Sequence, residues 1–496
     1  MFFLQNLKSA HYFLYHGELQ SGDLAERERP ANQRLGGLAL RHPSKSRERG
    51  SSRSGLTFLV VVILVLIVAA FKLSRNPAPV IQPAQPITGI GLSRTVKFRI
   101  HDPHYRITQV NIKVQQGGHS FAAPVSVKTI TSKGAGQTVD ATAEVGRREI
   151  PGLNPGRATL VVTALNNSWG RFFRGGKAVF SRDVPVRFMP PQVEVLTAQS
   201  YINQGGSDMI LFNVSQGAVK SGVEVGQTFF PSWPVKETDP QTRLCIFAFP
   251  YDASPDTPAH IVAEDDAGNR TIASFSYKVF PKQFRHSTIP ITDTFMQRVV
   301  PPIMSQTTAI QEQGSLVKDF VAINHNLRAV DSQRLIQFSK QTSPKFMWSQ
   351  PFMQLSNSKV ESSFADFRTY VYNGQVIDHE VHLGFDLAVV AHTPVQAAND
   401  GLVIFASWFD IFGNAVIIDH GCGLQTLYGH MASFVVKPGQ LVHRGQLIGY
   451  SDSTGLAGGD HVHFEVLLDG VPVNPAEWWD PHWIHDRIMA KLQPYR

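Results

Sequence analysis

Three short pieces of this 496-residue chain concentrate side chains able to hold a metal ion and move protons. His382-Leu383-Gly384-Phe385-Asp386 comes first, Leu427-Tyr428-Gly429-His430-Met431 second, and His461-Val462-His463-Phe464-Glu465 third. In a strand, residues two apart share a face and lie about 7 Å apart. His461 and His463 therefore point into one cavity, where one can bind a metal while the other stands beside it as an acid or base. His382 and Asp386 also share a face, but a straight strand would hold them roughly 13 Å apart. An ion with bonds of about 2 Å cannot reach both, so the segment must bend, and Gly384 at its centre permits that. Two imidazoles and one carboxylate make three protein ligands with a fourth position open for water, the pattern of a catalytic rather than a structural zinc. A lone His-x-His pair is equally at home on a solvated strand; the three pieces together carry the weight.

The order and spacing of those pieces resemble the lysostaphin-like, LytM-type zinc metallopeptidases, which cut the peptides of bacterial peptidoglycan. The resemblance covers about residues 364–479. It takes in the His-x-x-x-Asp opening, the Tyr-x-His in the middle, the Ser453-Thr454-Gly455 approach, the His-x-His-Phe-Glu close and the trailing Val473-Asn474-Pro475. It implies one Zn2+ held by His382, Asp386 and His463, with His430 and His461 as the catalytic pair that polarises the attacking water and stabilises the oxyanion. Residues 456–460 depart from the family text, which bears on substrate fit rather than on the metal. The alternative within the same resemblance is a regulator that uses the domain as a docking surface to activate a separate wall amidase. Such regulators typically lack some of the five residues, and all five are present here.

The remainder of the chain must position this site. Composition is that of a globular protein, 43% hydrophobic and 17% charged, and the length asks for several domains. A net charge of +7 is modest for this length and gives no reason to expect nucleic acid. The two cysteines, Cys245 and Cys422, exclude a disulfide framework or a Cys-based zinc site. Residues 1–55 form a basic arm without clear patterning. No methionine follows Met1 until Met189, so initiation at another codon downstream would leave this arm untranslated.

Residues 56–71 carry no charge and, as a helix, span about 24 Å, slightly short of a ~30 Å hydrocarbon core. Lys72 can snorkel at the far end. Arg41, Lys45, Arg47, Arg49 and Arg53 precede the segment, while Lys72 and Arg75 follow it. That asymmetry predicts a transmembrane helix over 56–73 with the bulk of the chain outside the cytoplasm. A signal peptide cleaved near 68–70 competes with this reading.

Residues 74–88, with Pro77, Pro79, Pro83 and Pro86, read as an extended spacer. From there the pattern is mainly β. Alternation such as Val96, Phe98, Ile100 predicts strands, and residues 158–164 find an echo in 259–265. Two β-sandwich modules of immunoglobulin-like character follow, 89–189 and 190–284. Residues 285–345 form a helical linker: Leu316, Phe320, Ile323, Leu327 and Val330 make an apolar stripe that Ser315 can cap. Residues 346–496 read as an antiparallel β-sheet domain carrying the site, with strands near 402–407, 415–419, 424–428, 446–450 and 462–467. His379, His392, His420 and His443 read as structural or solvated. The expected partners are peptidoglycan peptides, the cytoplasmic membrane through one helix, and cell-envelope proteins through the β modules.

Overall fold

The computed structural model describes residues 52–133 and 136–495. The basic arm, as far as residue 51, lies outside them. The chain divides into two compact units, Met1–Val68 and Ala69–Arg496. One helix runs over Ser52–Ser74, and its stretch Leu56–Ser74 has a mean hydropathy of 3.0 with none of its apolar window buried. By length and composition it is able to cross a membrane.

After it the chain is mainly β. Strand Arg94–Asp102 shows why: every second side chain is buried, so Val96, Phe98 and Ile100 line one face of a pleat. It lies between Val80–Pro83 and Gly136–Val145, with Val125–Lys133 completing a four-stranded sheet. A second four-stranded sheet contains Ile107–Gln116, Gly156–Asn166, His119–Ala123 and Lys177–Val186. The two enclose a core that includes Phe98, Val114, Leu160 and Val162. Another pair of four-stranded sheets follows, one built on Ser207–Val214 and Asp239–Ala248, the other on Ala218–Val225 and Ala259–Asp265. The two echoing segments are both inner strands of their sheets.

The core of this second pair does not close on itself. It runs on through Trp348, Phe352, Phe364 and Trp478 into the C-terminal sheet. Glu477 reinforces the junction: its buried carboxylate accepts 2.9 Å hydrogen bonds from the Ser207 amide and from Asn203 Nδ2.

The helical stretch contains Asp293–Gln306, Leu316–Val321, a π-helical turn at Ala322–Leu327, and Arg328–Phe338. Its apolar stripe packs onto the C-terminal sheet, since Phe320, Ile323, Leu327 and Leu335 share a core with Ile411, Phe412, Leu427 and Leu467. Ser315 stands at the N-cap, but its hydroxyl makes no capping bond; its backbone carbonyl accepts the Asp319 amide instead. The helix at Asp293–Gln306 is the one with a side-chain cap, from Thr292.

The C-terminal sheet has ten strands. Its principal path is Lys359–Ser362, Phe385–Ala388, His461–Leu468, Leu424–Phe434, Asn414–Gly421, Gly401–Trp408 and Leu441–Val442, paired antiparallel throughout. Strand His461–Leu468 is central and buried along its whole length. A separate three-stranded sheet holds the hairpin Asp366–Tyr372 and Gln375–His382, with His286–Ile291 added in parallel to its edge.

Candidate metal centre and proton-transfer site

The register of the central strands builds the site. Asp386 lies directly opposite His463, and Gly429 opposite His463 on the other flank. His382 ends the strand Gln375–His382, and Asp386 sits in the next, Phe385–Ala388, so the chain breaks between them at Gly384. The bend was expected from glycine's backbone freedom; the structure gives a different reason. A Cβ on Gly384 would stand 2.7 Å from the His463 ring and from the Phe464 carbonyl. Only a missing side chain lets the imidazole lie against the backbone there.

Three donor atoms then converge. His382 Nε2 is 2.9 Å from Asp386 Oδ1 and 3.0 Å from His463 Nδ1, and His463 Nδ1 is 3.0 Å from Asp386 Oδ1. Their other partners set the tautomers. His382 Nδ1–H donates to the Ser363 carbonyl at 3.2 Å, and His463 Nε2–H donates to Glu465 Oε1 at 2.8 Å. Each ring thus turns a bare lone pair towards a carboxylate oxygen that also offers lone pairs. Such a triangle repels itself unless a positive charge occupies its focus. Ligands around a tetrahedral ion bound at about 2.0–2.1 Å lie about 3.3 Å apart, close to the spacing here. The donor set therefore fits a divalent cation.

The electrostatics agree. Burial opposes ionisation of Asp386, yet His382, His461 and His463 together hold its carboxyl well below the usual range. Burial lowers His382. His463 is also buried, but the carboxylates of Asp386 and Glu465 outweigh that and raise it to about 9. Without a cation, a proton takes its place at the focus.

A second layer fixes these ligands. Arg368 Nη2 donates to Asp386 Oδ2 at 3.0 Å and to Ser362 Oγ at 2.8 Å, leaving Oδ1 free to face the imidazoles. Ser362 and Asp366, buried beside it, complete the network around His382. Neither Arg368 nor Ser362 was singled out from sequence. Both precede the His-x-x-x-Asp piece: Arg368 reaches it through the pairing of Asp366–Tyr372 with Gln375–His382, and Ser362 through that of Lys359–Ser362 with Phe385–Ala388. Glu465 could have been found, because it lies two residues from His463 and shares its face.

His430 and His461 stand next to the triangle. His461 Nε2 lies 3.3 Å from Asp386 Oδ1, and the His430 and His461 rings are 4.7 Å apart between centroids. Each is held by its far nitrogen: His430 Nδ1–H donates to the Thr454 carbonyl at 2.7 Å and His461 Nδ1–H to the Gly459 carbonyl at 2.8 Å. That leaves Nε2 of each ring for the pocket, with His461 Nε2 facing Asp386 Oδ1. Burial, and then the neighbouring His461 and His463, push His430 well below the ordinary histidine value, so it stays neutral. His430 reaches the site by an irregularity: its φ is +60°, at a break in the pairing of Leu424–Phe434 with Asn414–Gly421.

Phe412, Ile411, Leu456 and Gly458 wall a pocket of about 80 Å³ over these five residues. Arg328, from the helical stretch, joins the wall, and Arg298 Nη2 donates to the Ala457 and Gly458 carbonyls at 2.9 Å. The other histidines stay apart. His420 is fully buried, bonded to the Asp400 carbonyl and Thr426, and burial lowers it to about 4. His379 and His443 are exposed.

A second group, His325, Asp378 and Glu380, also brings one donor atom each within 4.8 Å of the others. His325 Nδ1 is 2.6 Å from Glu380 Oε1 and is largely exposed.

Residues 380–475 match peptidase family M23. Over 95 residues the chain is 42% identical to the DD-carboxypeptidase/endopeptidase Mpg of Neisseria meningitidis, covering 19% of this chain and 22% of that protein. Over 119 residues it is 38% identical to the peptidoglycan DD-endopeptidase ShyA of Vibrio cholerae, covering 24% of this chain and 27% of that protein. The chain thus spans about a quarter of the length of these curated relatives. Among solved structures, the catalytic domain of lysostaphin from Staphylococcus simulans aligns at 27% identity and a TM-score of 0.21, over 25% of this chain and 92% of that one.

Proposed function

With a peptidase family M23 domain at residues 380–475 as the premise, we propose that the chain is a membrane-anchored zinc metalloendopeptidase hydrolysing amide bonds in peptidoglycan stem or cross-link peptides. The observation that carries the reading is the convergence of three donor atoms, from His382, Asp386 and His463, beside two histidines whose Nδ1 atoms are held by backbone carbonyls. Zinc bound there supplies a Lewis acid that makes water a competent nucleophile near neutral pH. His430, kept neutral by burial and by its histidine neighbours, accepts a proton at Nε2. His461, whose ring stands 4.7 Å from that of His430, presents Nε2 beside Asp386 and serves as proton donor to the developing oxyanion or leaving nitrogen. Water adds across the amide, leaving a carboxylate on one fragment and an amine on the other.

The apolar helix Leu56–Ser74 is the proposed anchor, with the remaining chain outside the cytoplasm. The two pairs of stacked sheets, over 89–189 and 190–284, are read as immunoglobulin-like modules that carry the peptidase domain of 346–496 away from the membrane and offer surface to envelope proteins.

The test is digestion of purified cell wall by the zinc-loaded chain, with mass spectrometry of the products. New amine and carboxylate termini within the peptides are expected. A zinc-loaded chain that leaves every wall substrate intact yet stimulates an added amidase replaces the enzyme reading with the regulator.

A further inference from the structure

The segment that follows the apolar helix is tied to a loop about ninety residues further on. The Arg171 amide donates to the Arg75 carbonyl at 2.9 Å, and Asn166 Nδ2 donates to the Pro77 carbonyl at 2.6 Å. Asn76 and Lys177 exchange two more bonds, at 2.9 and 2.6 Å. Gly170 allows the approach, since a Cβ there would collide with Pro77 and the Arg75 carbonyl. All these residues lie within the unit Ala69–Arg496.

The loop holds aromatic side chains in water. Trp169, Phe172 and Phe173 are 75%, 64% and 70% exposed, although they sit on a rigid, hydrogen-bonded base. Three consecutive left-handed residues, Arg171, Phe172 and Phe173 with φ of 50°, 54° and 68°, form the turn that displays them. Between this loop and the helix end opens a cleft of about 820 Å³. Leu73, Trp169 and Phe173 give it an apolar side; Lys72, Arg75 and Arg106 give it three cations, and no acidic side chain lines it. Tryptophan and phenylalanine beside basic residues, at the end of a helix able to span a membrane, match the chemistry of the lipid–water interface.

We propose that this juxtamembrane cleft binds the headgroup of an anionic phospholipid, with the phosphate among Lys72, Arg75 and Arg106 and the upper acyl chain against Trp169 and Phe173. The inference rests on the anchor reading of the helix. It adds a second attachment that fixes the tilt of the first β module against the bilayer.

The full chain is reconstituted into vesicles of phosphatidylcholine alone or mixed with phosphatidylglycerol, each containing lipid brominated high on the acyl chain. Trp169 is read as the difference between the natural chain and Trp169→Phe. Quenching stronger in the anionic vesicles is expected. Neutralising Lys72, Arg75 and Arg106 to Gln should lower that preference about fivefold per charge removed, while Arg75→Lys with Arg106→Lys should keep it. Retention of the chain through alkaline extraction reports the anchor separately. A retained chain with equal quenching in both lipids, or with quenching abolished by millimolar inorganic phosphate, overturns the lipid site and leaves the anchor standing. A natural chain stripped by alkali overturns both.

Discussion

Among the described residues two groups bring histidine and carboxylate donors close to a common point, two histidines with one carboxylate in the first and one histidine with two carboxylates in the second, and their surroundings differ throughout. His382, Asp386 and His463 are at most 14% exposed at their side chains, and each has its far atom taken by a fixed partner: Ser363, Arg368 and Glu465. His325 has a side chain 62% exposed, and its acidic neighbours are already engaged, Glu380 near Arg328 and Asp378 with Asn324. In the first group the outward bonds aim one nitrogen of each ring and one carboxylate oxygen at a shared point, which a cation or a proton must fill. In the second, the His325 ring, Arg328 and Asn324 already engage the carboxylates. What separates a metal centre from a surface ion pair is the second layer, which strips the alternatives away.

The sharpest way to break this contrast is to remove one carboxylate from each group. Asp386→Ala should take bound zinc from one per chain to a small fraction, whereas Asp378→Ala should leave metal content unchanged by elemental analysis. Equal losses would place both groups on the same footing. Next come the two histidines outside the triangle. His430→Ala and His461→Ala should each retain zinc but lose about 10²-fold or more in turnover, the scale of a missing acid–base or oxyanion group. Arg368→Gln should weaken zinc affinity about 10–100-fold, as loss of an outer partner does, measured by competition with a chelator. Arg368→Lys should recover only part, because an ammonium does not reproduce the planar Nη2 group that donates to both Asp386 and Ser362. The pH dependence is gentler still. His463 keeps its proton up to about pH 9 when no cation is bound, so binding below that pH must expel it. Apparent zinc affinity should rise about tenfold per unit as pH climbs towards 9 and then level. Smallest of all, Glu380→Gln, which keeps the side chain's shape beside a histidine whose side chain is 62% exposed, should change stability by about 1 kcal/mol.

Much of the centre was legible because strand periodicity is short-range. Two residues apart means one face, which groups His461, His463 and Glu465 without any tertiary knowledge. The break at Gly384 was legible too, although its cause was not: the need for room under the His463 ring arises from a strand eighty residues away. Arg368 and Ser362 belong to pieces whose text says little until Asp366–Tyr372 pairs with Gln375–His382 and Lys359–Ser362 pairs with Phe385–Ala388. The helical stripe at 316–330 announced a packing face but not its target, and the π-helical turn at Ala322–Leu327 left no periodic mark. The continuous core through Trp348 and Trp478 was hidden for the same reason: buried aromatics show that something covers them, never what.

His430 carries one further consequence. A non-glycine residue in the left-handed region costs of order 1–3 kcal/mol, and this one sits within a buried strand at φ +60°. The fold thus holds strained backbone at the candidate proton-transfer site. His430→Gly, which removes both the imidazole and the steric conflict, should melt at a higher temperature than His430→Ala, which removes only the imidazole. The torsion that strains the chain is also the one that sets the His430 imidazole beside the His461 ring.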